Sequence, residues 1–276
     1  MAEVVASFDV LVPDIRRVGV DRPWQWLAAG WRDLVRSPGV SLAFGAVFAA
    51  AGYAVSLGAW LVGTLYLVLP LAAGFMIVGP VLAVGLYEVS RRHAEGEPVT
   101  LGAALGAFGR NPRHLAVMGV VLLLVMLTWI RLAIMIFMLY WGLTPPSFED
   151  LVVNTFLRAE SLPFLVFGTA VGAVFAAIAF SISVVSVPML LDRRVDVITA
   201  VVTSVRAVRE NPVPMLLWAA LIAGFTAAGI ATVYLGLIVT MPLIGHATWH
   251  ARRDLVVMPG EAAAARPAAA DGAVPA

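Results

Sequence analysis

The chain has 276 residues, of which 61% are hydrophobic and only 13% are charged, and its mean hydropathy is +0.94. This composition is too apolar for a soluble domain, and several apolar runs reach the roughly 20 residues that a helix needs to cross a bilayer. The net charge is +1, which gives no indication of nucleic-acid binding, and the absence of cysteine excludes disulfides, thiolate metal sites and cysteine nucleophiles. We therefore expect an all-α, polytopic helical membrane protein.

Residues 1–20 are predicted to form a cytoplasmic N-terminal segment. They are acidic at the start and lack the basic stretch followed by an apolar stretch that marks a cleaved signal peptide. The membrane domain is predicted over residues 21–255. The tail, residues 256–276, has low complexity and no apolar face, and is predicted to be disordered and cytoplasmic.

An arginine pair followed by a connector of about 20 residues recurs along the chain. The connectors start at Arg16-Arg17, Arg91-Arg92 and Arg193-Arg194, and each ends in Ser-Pro or Asn-Pro before the next apolar run. This similarity predicts three repeats, each consisting of a short amphipathic cytoplasmic helix and a two-helix hairpin. The hairpins together give about six transmembrane helices.

The first connector predicts an amphipathic helix. Its apolar residues recur at helical spacing and are Trp24, Leu27, Ala28, Trp31 and Leu34. Such a helix either lies in the membrane interface, with its tryptophans at headgroup depth, or packs against the cytoplasmic ends of the spans. The sequence leaves both arrangements open.

The three hairpins differ in length. The first is predicted over residues 39–87 and the last over residues 214–249. The second begins after Pro112, and its first apolar run, residues 115–143, is longer than a bilayer requires. This helix must therefore tilt strongly or extend along the outer surface.

The fourth span is predicted over residues 162–191. It contains Gly168, Gly172 and Ala176 at four-residue spacing, a small-residue stripe that predicts a helix-packing seam. The loop before it, about residues 144–161, is acidic and is predicted to lie outside.

With about six spans, the arginines of the connectors and span ends all fall on one side of the membrane. They are Arg16, Arg17, Arg22, Arg32, Arg36, Arg91, Arg92, Arg110, Arg113, Arg193, Arg194, Arg206, Arg209, Arg252 and Arg253. The positive-inside rule makes that side cytoplasmic and places both termini there.

Arg131 lies within the long apolar run of the second hairpin. Counted from the cytoplasmic boundary near Arg113, it lies roughly 27 Å up the helix, close to the outer edge of a hydrocarbon core about 30 Å thick. We expect its side chain to extend to the outer headgroups or to pair with Glu149 or Asp150. A role as an intramembrane pathway residue is the alternative.

His246 and His250 are the candidates for a metal site, because residues four apart share one face of a helix. Further ligands are needed, and only His93 and His114 are predicted on the same side. Histidines beside arginines at an interface are more commonly hydrogen-bonded polar groups, so no metal or other cofactor is predicted.

Glu88 precedes Arg91 and Arg92 by three and four residues, which predicts an ion pair within one helix at the membrane surface. No glycine-rich phosphate loop, pair of carboxylates or Ser-His-Asp arrangement can be assembled from the sequence. We therefore predict that the protein is not an enzyme.

Four stretches of the chain carry a family resemblance. They are DRPWQWLAAGWRDL (Asp21 to Leu34), GFMIVGPVLAVGLYEVSRR (Gly74 to Arg92), SVVSVPMLLDRR (Ser183 to Arg194) and PLIGHATWHARRDL (Pro242 to Leu255). Together they resemble the bacterial integral membrane proteins grouped as domain-of-unknown-function family 2189, over nearly the whole chain except both tails. The resemblance implies a multi-pass protein of the bacterial inner membrane and supplies no catalytic residues. Some members carry a cytochrome c oxidase subunit label, but this chain has too few histidines and too few spans for a catalytic oxidase subunit.

Three functional hypotheses are compatible with these features. The first is a non-catalytic membrane protein that organises or assists a membrane complex, a respiratory complex included. The second is a transporter or channel for a small solute or lipid, suggested by the repeats and by spans containing Pro70, Pro80, Pro188 and Pro242. The third, an enzyme acting on lipid, is disfavoured because no nucleophile and base converge.

The expected partners are the lipid bilayer, anionic lipid headgroups and other membrane proteins, and not nucleic acid. The connectors and their arginine pairs are predicted to form a basic collar, in which each arginine near an anionic leaflet adds on the order of 1 kcal/mol of attraction. The alternative is that these arginines only fix orientation during insertion. The candidate contact residues are Arg91, Arg92, Arg193, Arg194, Arg252 and Arg253.

Overall fold

The computed structural model describes residues 13–142, 161–193 and 195–257. Within these ranges the helices are α1 (Arg22–Arg36), α2 (Pro38–Leu61), α3 (Val68–Leu82), α4 (Val84–Glu95), α5 (Leu101–Leu105), α6 (Pro112–Trp141), α7 (Leu162–Ser183), α8 (Ser186–Asp192), α9 (Val197–Glu210), α10 (Pro212–Ala231) and α11 (Leu237–Leu255). Short 3₁₀ turns, Leu65–Leu67 and Gly106–Arg110, precede α3 and follow α5. The predicted all-α class is confirmed.

Five helical segments of the described chain are long and apolar enough to cross a membrane. They are Pro38–Leu61, Leu65–Glu95, Pro112–Trp141, Leu162–Asp192 and Pro212–Ala231. The sequence predicts about six, and α11 is the helix that does not meet these criteria. Its last four residues include Arg252, Arg253 and Asp254, which lower its mean hydropathy.

Three of the spans begin with the same backbone corner. The first residue of α2, α6 and α10 is proline, and the residue before it has φ −134° and ψ 61° at Ser37, φ −146° and ψ 63° at Asn111, and φ −128° and ψ 55° at Asn211. Proline suits the first turn of a helix, where no amide hydrogen is needed, and it disfavours a helical conformation in the residue before it. Each Ser-Pro or Asn-Pro pair therefore ends a connector and starts a span.

The connectors and the span ends that join them meet at one end of the structure, which we call the arginine-rich end (residues 13–37, 88–112, 190–212 and 249–257). The Asn111 side-chain amide donates to the carbonyl oxygen of Leu190 at 3.1 Å, and the Asn211 amide donates to that of Arg16 at 3.1 Å. At the same end, β1 (Asp14–Ile15) pairs antiparallel with β2 (Val256–Val257). This ribbon joins the predicted N-terminal segment to the start of the predicted tail.

α11 lies at the centre of the structure, in contact with α1, α2, α4 and α10. A Cβ atom on Gly45 of α2 would lie 2.0 Å from the carbonyl oxygen of Ile238, and one on Gly30 of α1 would lie 2.7 Å from the amide nitrogen of Ala247. Only glycine permits helix backbones to approach this closely. α1 and α2 therefore pack directly against the backbone of α11.

The opposite end of α11 follows a tight turn at residues 232–236. Val233 and Tyr234 have φ of 54° and 66°, a left-handed conformation that is rare for non-glycine residues. The Tyr234 hydroxyl lies 2.5 Å from the Ser56 hydroxyl near the far end of α2. From this turn α11 runs back to the arginine-rich end.

α6 packs between α3 and α7. Its 30 residues correspond to roughly 45 Å, in agreement with the predicted long run. The Trp129 indole donates to the Pro70 carbonyl oxygen at 2.9 Å, and its ring lies 3.1 Å from where a Cβ of Gly172 would be. The predicted packing seam is wrong at the other two positions in the described part of the chain: a Cβ on Gly168 would have no described neighbour within 4 Å, and Ala176 is exposed. The large indole, and not a stripe of small residues, forms this contact.

Candidate functional site

The connectors expose apolar side chains beside their arginines. The exposed residues are Trp24, Trp31 and Val35 in α1, Leu101, Leu105 and Phe108 in the second connector, and Ile198 and Val202 in α9. Such residues would be unfavourable in water but are typical of helices that lie in a membrane interface. We call this set the connector stripes.

The other side of α1 packs on α11. Trp26, Leu27 and Leu34 are buried there, whereas Trp24 and Trp31 are exposed. The predicted single apolar face of α1 is therefore wrong. The buried side also contains a glycine and an aspartate, which a search for apolar spacing does not detect.

Asp33 fixes α1 to two other helices. Its carboxylate oxygens lie 3.2 Å from Nδ1 of His93 in α4 and 2.8 Å from Nε2 of His250 in α11. Burial raises the pKa of the Asp33 carboxyl group, but hydrogen bonds from His250 and Ser90 and the nearby histidine charges outweigh burial and hold it below its usual value of 3.8. Asp33 is thus a charged, multiply bonded group at the helix junction.

His246 lies deeper in the same network and is fully buried. Its Nε2 is 2.9 Å from the Ser41 hydroxyl, and its Nδ1 is 2.8 Å from the Ser90 hydroxyl. His246 and His250 therefore have different partners. Among the described residues, no group of three or more His, Cys, Asp or Glu is arranged to hold a metal ion.

The sequence analysis concluded that no Ser-His-Asp arrangement could be assembled, and this network corrects that conclusion. Hydrogen bonds connect Ser41 to His246, His246 to Ser90, and Ser90 to Asp33. Ser41, Ser90 and His246 are all 0% exposed. A nucleophile needs access to a substrate carbonyl, which these buried hydroxyls do not have. The arrangement is suited to joining helices.

Glu88 is the centre of an ion-pair cluster. Its carboxylate accepts hydrogen bonds at 2.8 Å from Arg91 and from Arg92, as predicted, and lies 3.7 Å from Arg110. The sequence analysis placed this pair at the membrane surface, which stays a prediction; within the protein Glu88 is only 1% exposed. Arg91 also pairs with Glu95 and Glu97, so the buried charges are compensated.

A polar cavity of about 480 Å³ opens beside this cluster. Its wall includes Trp249, Glu95 and Asp192, and six arginines: Arg16, Arg91, Arg110, Arg193, Arg252 and Arg253. Arg252 donates to Asp192 at 2.5 Å, and Cζ of Arg253 lies 5.0 Å from the centroid of the Trp249 ring. We call this space the arginine cavity.

The structure brings four of the six candidate contact arginines to the arginine cavity, namely Arg91, Arg193, Arg252 and Arg253. Arg92 is not part of the wall; it donates to Glu88 and to the carbonyl oxygen of Pro98. Arg194 lies outside the described residues.

Arg131 is exposed on the surface of α6, far along the helix from its start at Pro112. Its predicted partners, Glu149 and Asp150, lie outside the described residues. Both the headgroup contact and the ion pair remain predictions.

The sequence analysis missed Asp33, Ser41 and Ser90. For Asp33 and Ser41 the available signal was a glycine one turn away on the same helix face, Gly30 and Gly45 respectively. Arg16 and Arg110 were assigned only to topology, although the fold places both in the wall of one cavity.

Comparison with known proteins agrees with the membrane assignment. Residues 68–192 match the family described as predicted integral membrane protein (DUF2189), and no curated protein and no solved structure matches the chain. Of the four stretches that carry the resemblance, the one from Gly74 to Arg92 lies within this match and the one from Ser183 to Arg194 overlaps its end, whereas those at residues 21–34 and 242–255 lie beyond it. Over residues 68–192, the chain is therefore similar to the DUF2189 family of predicted integral membrane proteins.

Proposed function

We propose that this protein is a non-catalytic integral membrane protein that organises or assists a membrane complex, a respiratory complex included. The observation that carries the proposal is the direct backbone packing on α11. The carbonyl oxygen of Ile238 lies where a Cβ of Gly45 would be, at 2.0 Å. No solute can pass between α2 and α11 at that level, and a transport path there would require their separation.

The cavity bounded by α2, α3, α10 and α11 also favours this function over transport. It has a volume of about 40 Å³ and is lined mainly by apolar side chains, among them Phe48, Phe75 and Leu237. The Pro70 carbonyl oxygen, a potential solute ligand, instead accepts the Trp129 hydrogen bond. Transport of a small solute or lipid is the alternative function.

The proposed orientation has six crossings, with α11 as the last. α11 starts beside the turn that contacts Ser56 and ends at Leu255. Its last turn includes Asp254, which accepts a hydrogen bond from the Trp26 indole at 3.0 Å. Its 19 residues correspond to roughly 28 Å, close to the thickness of the hydrocarbon core. The three matching proline corners support three hairpin repeats.

We place the arginine-rich end and both termini in the cytoplasm, with the protein in the bacterial inner membrane. The positive-inside rule supports this orientation. The connector stripes would then lie at the headgroup level of the cytoplasmic leaflet, where their arginines attract anionic lipid.

Native gel electrophoresis of mildly solubilised membranes tests the proposal. The tagged full-length protein should migrate with a larger complex, and deletion of its gene should reduce that complex. Proteoliposomes containing the purified protein should show no protein-dependent solute flux in stopped-flow swelling measurements. Migration of the protein alone, together with saturable solute flux, would establish the transport alternative.

A further inference from the structure

The arginine cavity draws its wall from segments that are far apart in sequence. Arg16 follows β1, Arg91 belongs to α4, Arg110 ends the 3₁₀ turn after α5, and Arg193 follows α8. α11 adds Arg252 and Arg253. Positive charge is therefore concentrated around one open cavity and is not spread along one exposed helix face.

Arginines outnumber carboxylates around the cavity in the described part of the chain. Eight arginines and five carboxylates of the described residues make up this charged cluster. The arginines are Arg16, Arg22, Arg91, Arg92, Arg110, Arg193, Arg252 and Arg253, and the carboxylates are Glu88, Glu95, Glu97, Asp192 and Asp254.

The arginines fall into two groups by burial. The side chains of Arg91 and Arg252 are each 4% exposed and pair with carboxylates, the buried Glu88 and the partly buried Asp192. Arg16 is half exposed and lies 3.5 Å from Asp254, and Arg253 is exposed, with no carboxylate within 4 Å in the described chain. Arg91 and Arg252 are therefore held in place in the cavity wall by their carboxylate partners. The guanidinium groups of Arg16 and Arg253 are accessible to a ligand.

Trp249 gives a second, independent indication of a ligand. It lines the cavity and is 2% exposed, and its indole nitrogen has no hydrogen-bond partner in the described part of the chain. A buried indole N–H normally finds an acceptor. An anion with several oxygen atoms would supply acceptors to the guanidinium groups directly, and to this buried donor once the Trp249 side chain turns towards the cavity.

We propose that the arginine cavity binds one phosphate-bearing anion. Guanidinium groups form paired, charge-assisted hydrogen bonds with phosphate oxygens, and the exposed Arg16 and Arg253 present such groups to the cavity. The volume of about 480 Å³ is within the roughly 300–1,000 Å³ of small-ligand sites. This inference does not depend on whether the protein assists a complex.

The phosphate can come from two sources. The cavity lies at the same end as the connector stripes, so a phospholipid headgroup is the nearer source. A soluble phosphate compound has the same chemistry and would reach the cavity from water. The experiment must therefore include a lipid arm and a soluble arm.

The test uses full-length protein with Arg16→Gln and Arg253→Gln, two exposed positions whose change leaves the buried Arg91 and Arg252 pairs intact. The matched control is Arg113→Gln with Arg209→Gln, which removes the same charge from exposed arginines outside the cavity wall. Thermal unfolding monitored by tryptophan fluorescence shows that each variant is folded. The single variant Arg253→Gln replaces the double variant if that one is unstable.

In the lipid arm, native mass spectrometry measures phosphatidylglycerol retained by protein in nanodiscs that otherwise contain phosphatidylcholine. In the soluble arm, calorimetry measures binding of inorganic pyrophosphate in phosphatidylcholine nanodiscs alone. We expect the cavity variant to weaken binding about tenfold and the control to change it less than about twofold.

Loss confined to the lipid arm identifies a headgroup site, and loss in the soluble arm identifies a soluble phosphate ligand. Absence of binding in both arms, or equal loss in the cavity variant and the control, overturns the proposal. Neither refuting outcome changes the gel and flux measurements that test the proposed function. Failure of the phosphate-site proposal can therefore be distinguished from failure of the proposed function.

Discussion

Replacement of Gly45 by alanine measures how much the packing of α2 on α11 stabilises the protein. The new Cβ would lie 2.0 Å from the Ile238 carbonyl oxygen and 2.6 Å from its carbon. Both are backbone atoms of a buried helix, so no side-chain rotation relieves the overlap, and the helices must separate by about 1 Å or more. Overpacking of this kind costs about 1–3 kcal/mol, which exceeds the gain of up to about 1 kcal/mol from replacing a helical glycine by alanine.

Gly58 provides the matched control, because it lies in the same helix and a Cβ there would meet nothing within 4 Å. Gly58→Ala should leave stability unchanged or raise it by up to about 1 kcal/mol. Reversible unfolding in mixed micelles of mild detergent and dodecyl sulfate, followed by tryptophan fluorescence, compares the two variants. Equal stability of Gly45→Ala and Gly58→Ala would show that α2 and α11 do not pack backbone to backbone, and would remove the main support for the proposed function.

Three other predictions concern charge and topology. Asp33→Asn should weaken the attachment of α1 by about 1–3 kcal/mol and accelerate amide hydrogen exchange in α1, because the carboxylate bonded to His250 is lost. Since the pKa of Asp33 is held below 3.8, its stabilisation is complete above that pH and is lost as the pH falls through the lowered value. The protection of wild-type α1 amides, corrected for the intrinsic exchange rate at each pH, should therefore fall only in that acid range. An identical fall in the variant would exclude Asp33 as its source. Reporters fused after Gly96 should be inside and those after Ser147 outside, and the reverse pattern would reject the orientation. Arg131→Leu should leave insertion intact and change stability by less than about 1 kcal/mol, whereas loss of all folded protein would indicate a buried partner.

The spans and the corners between them could be predicted from local sequence. Apolar runs of sufficient length identify membrane helices, and proline fixes where three of them start, because its missing amide hydrogen and preset φ act within one turn. The ion pairs of Glu88 with Arg91 and Arg92 follow from helical spacing in the same way. Each of these features depends on neighbours within a few residues.

The polar network at the arginine-rich end could not be predicted in this way. Asp33 and His250 are 217 positions apart, and Ser41 and His246 are 205 apart. Their contact depends on the arrangement of α1, α2 and α11, which local periodicity does not determine. Periodicity also misplaced the buried side of α1, because the positions closest to α11 include Gly30 and Asp33 as well as large apolar residues.

α11 shows why the connectors matter for the membrane domain. It is less apolar than the five clear spans, yet it is buried along most of its length, and it contains His246, Thr248 and Arg252 among its buried residues. A helix of this composition would be costly to surround with lipid, because polar groups in hydrocarbon need partners. Those partners come from outside its own hairpin: Asp33 of α1 bonds to His250, and Asp192 bonds to Arg252. Since Asp33 and Asp192 precede α11 in the chain, these partners are already synthesised when it emerges. They supply polar groups that let a partly polar helix occupy the centre of the protein, and docking of α1 and burial of α11 must be energetically coupled.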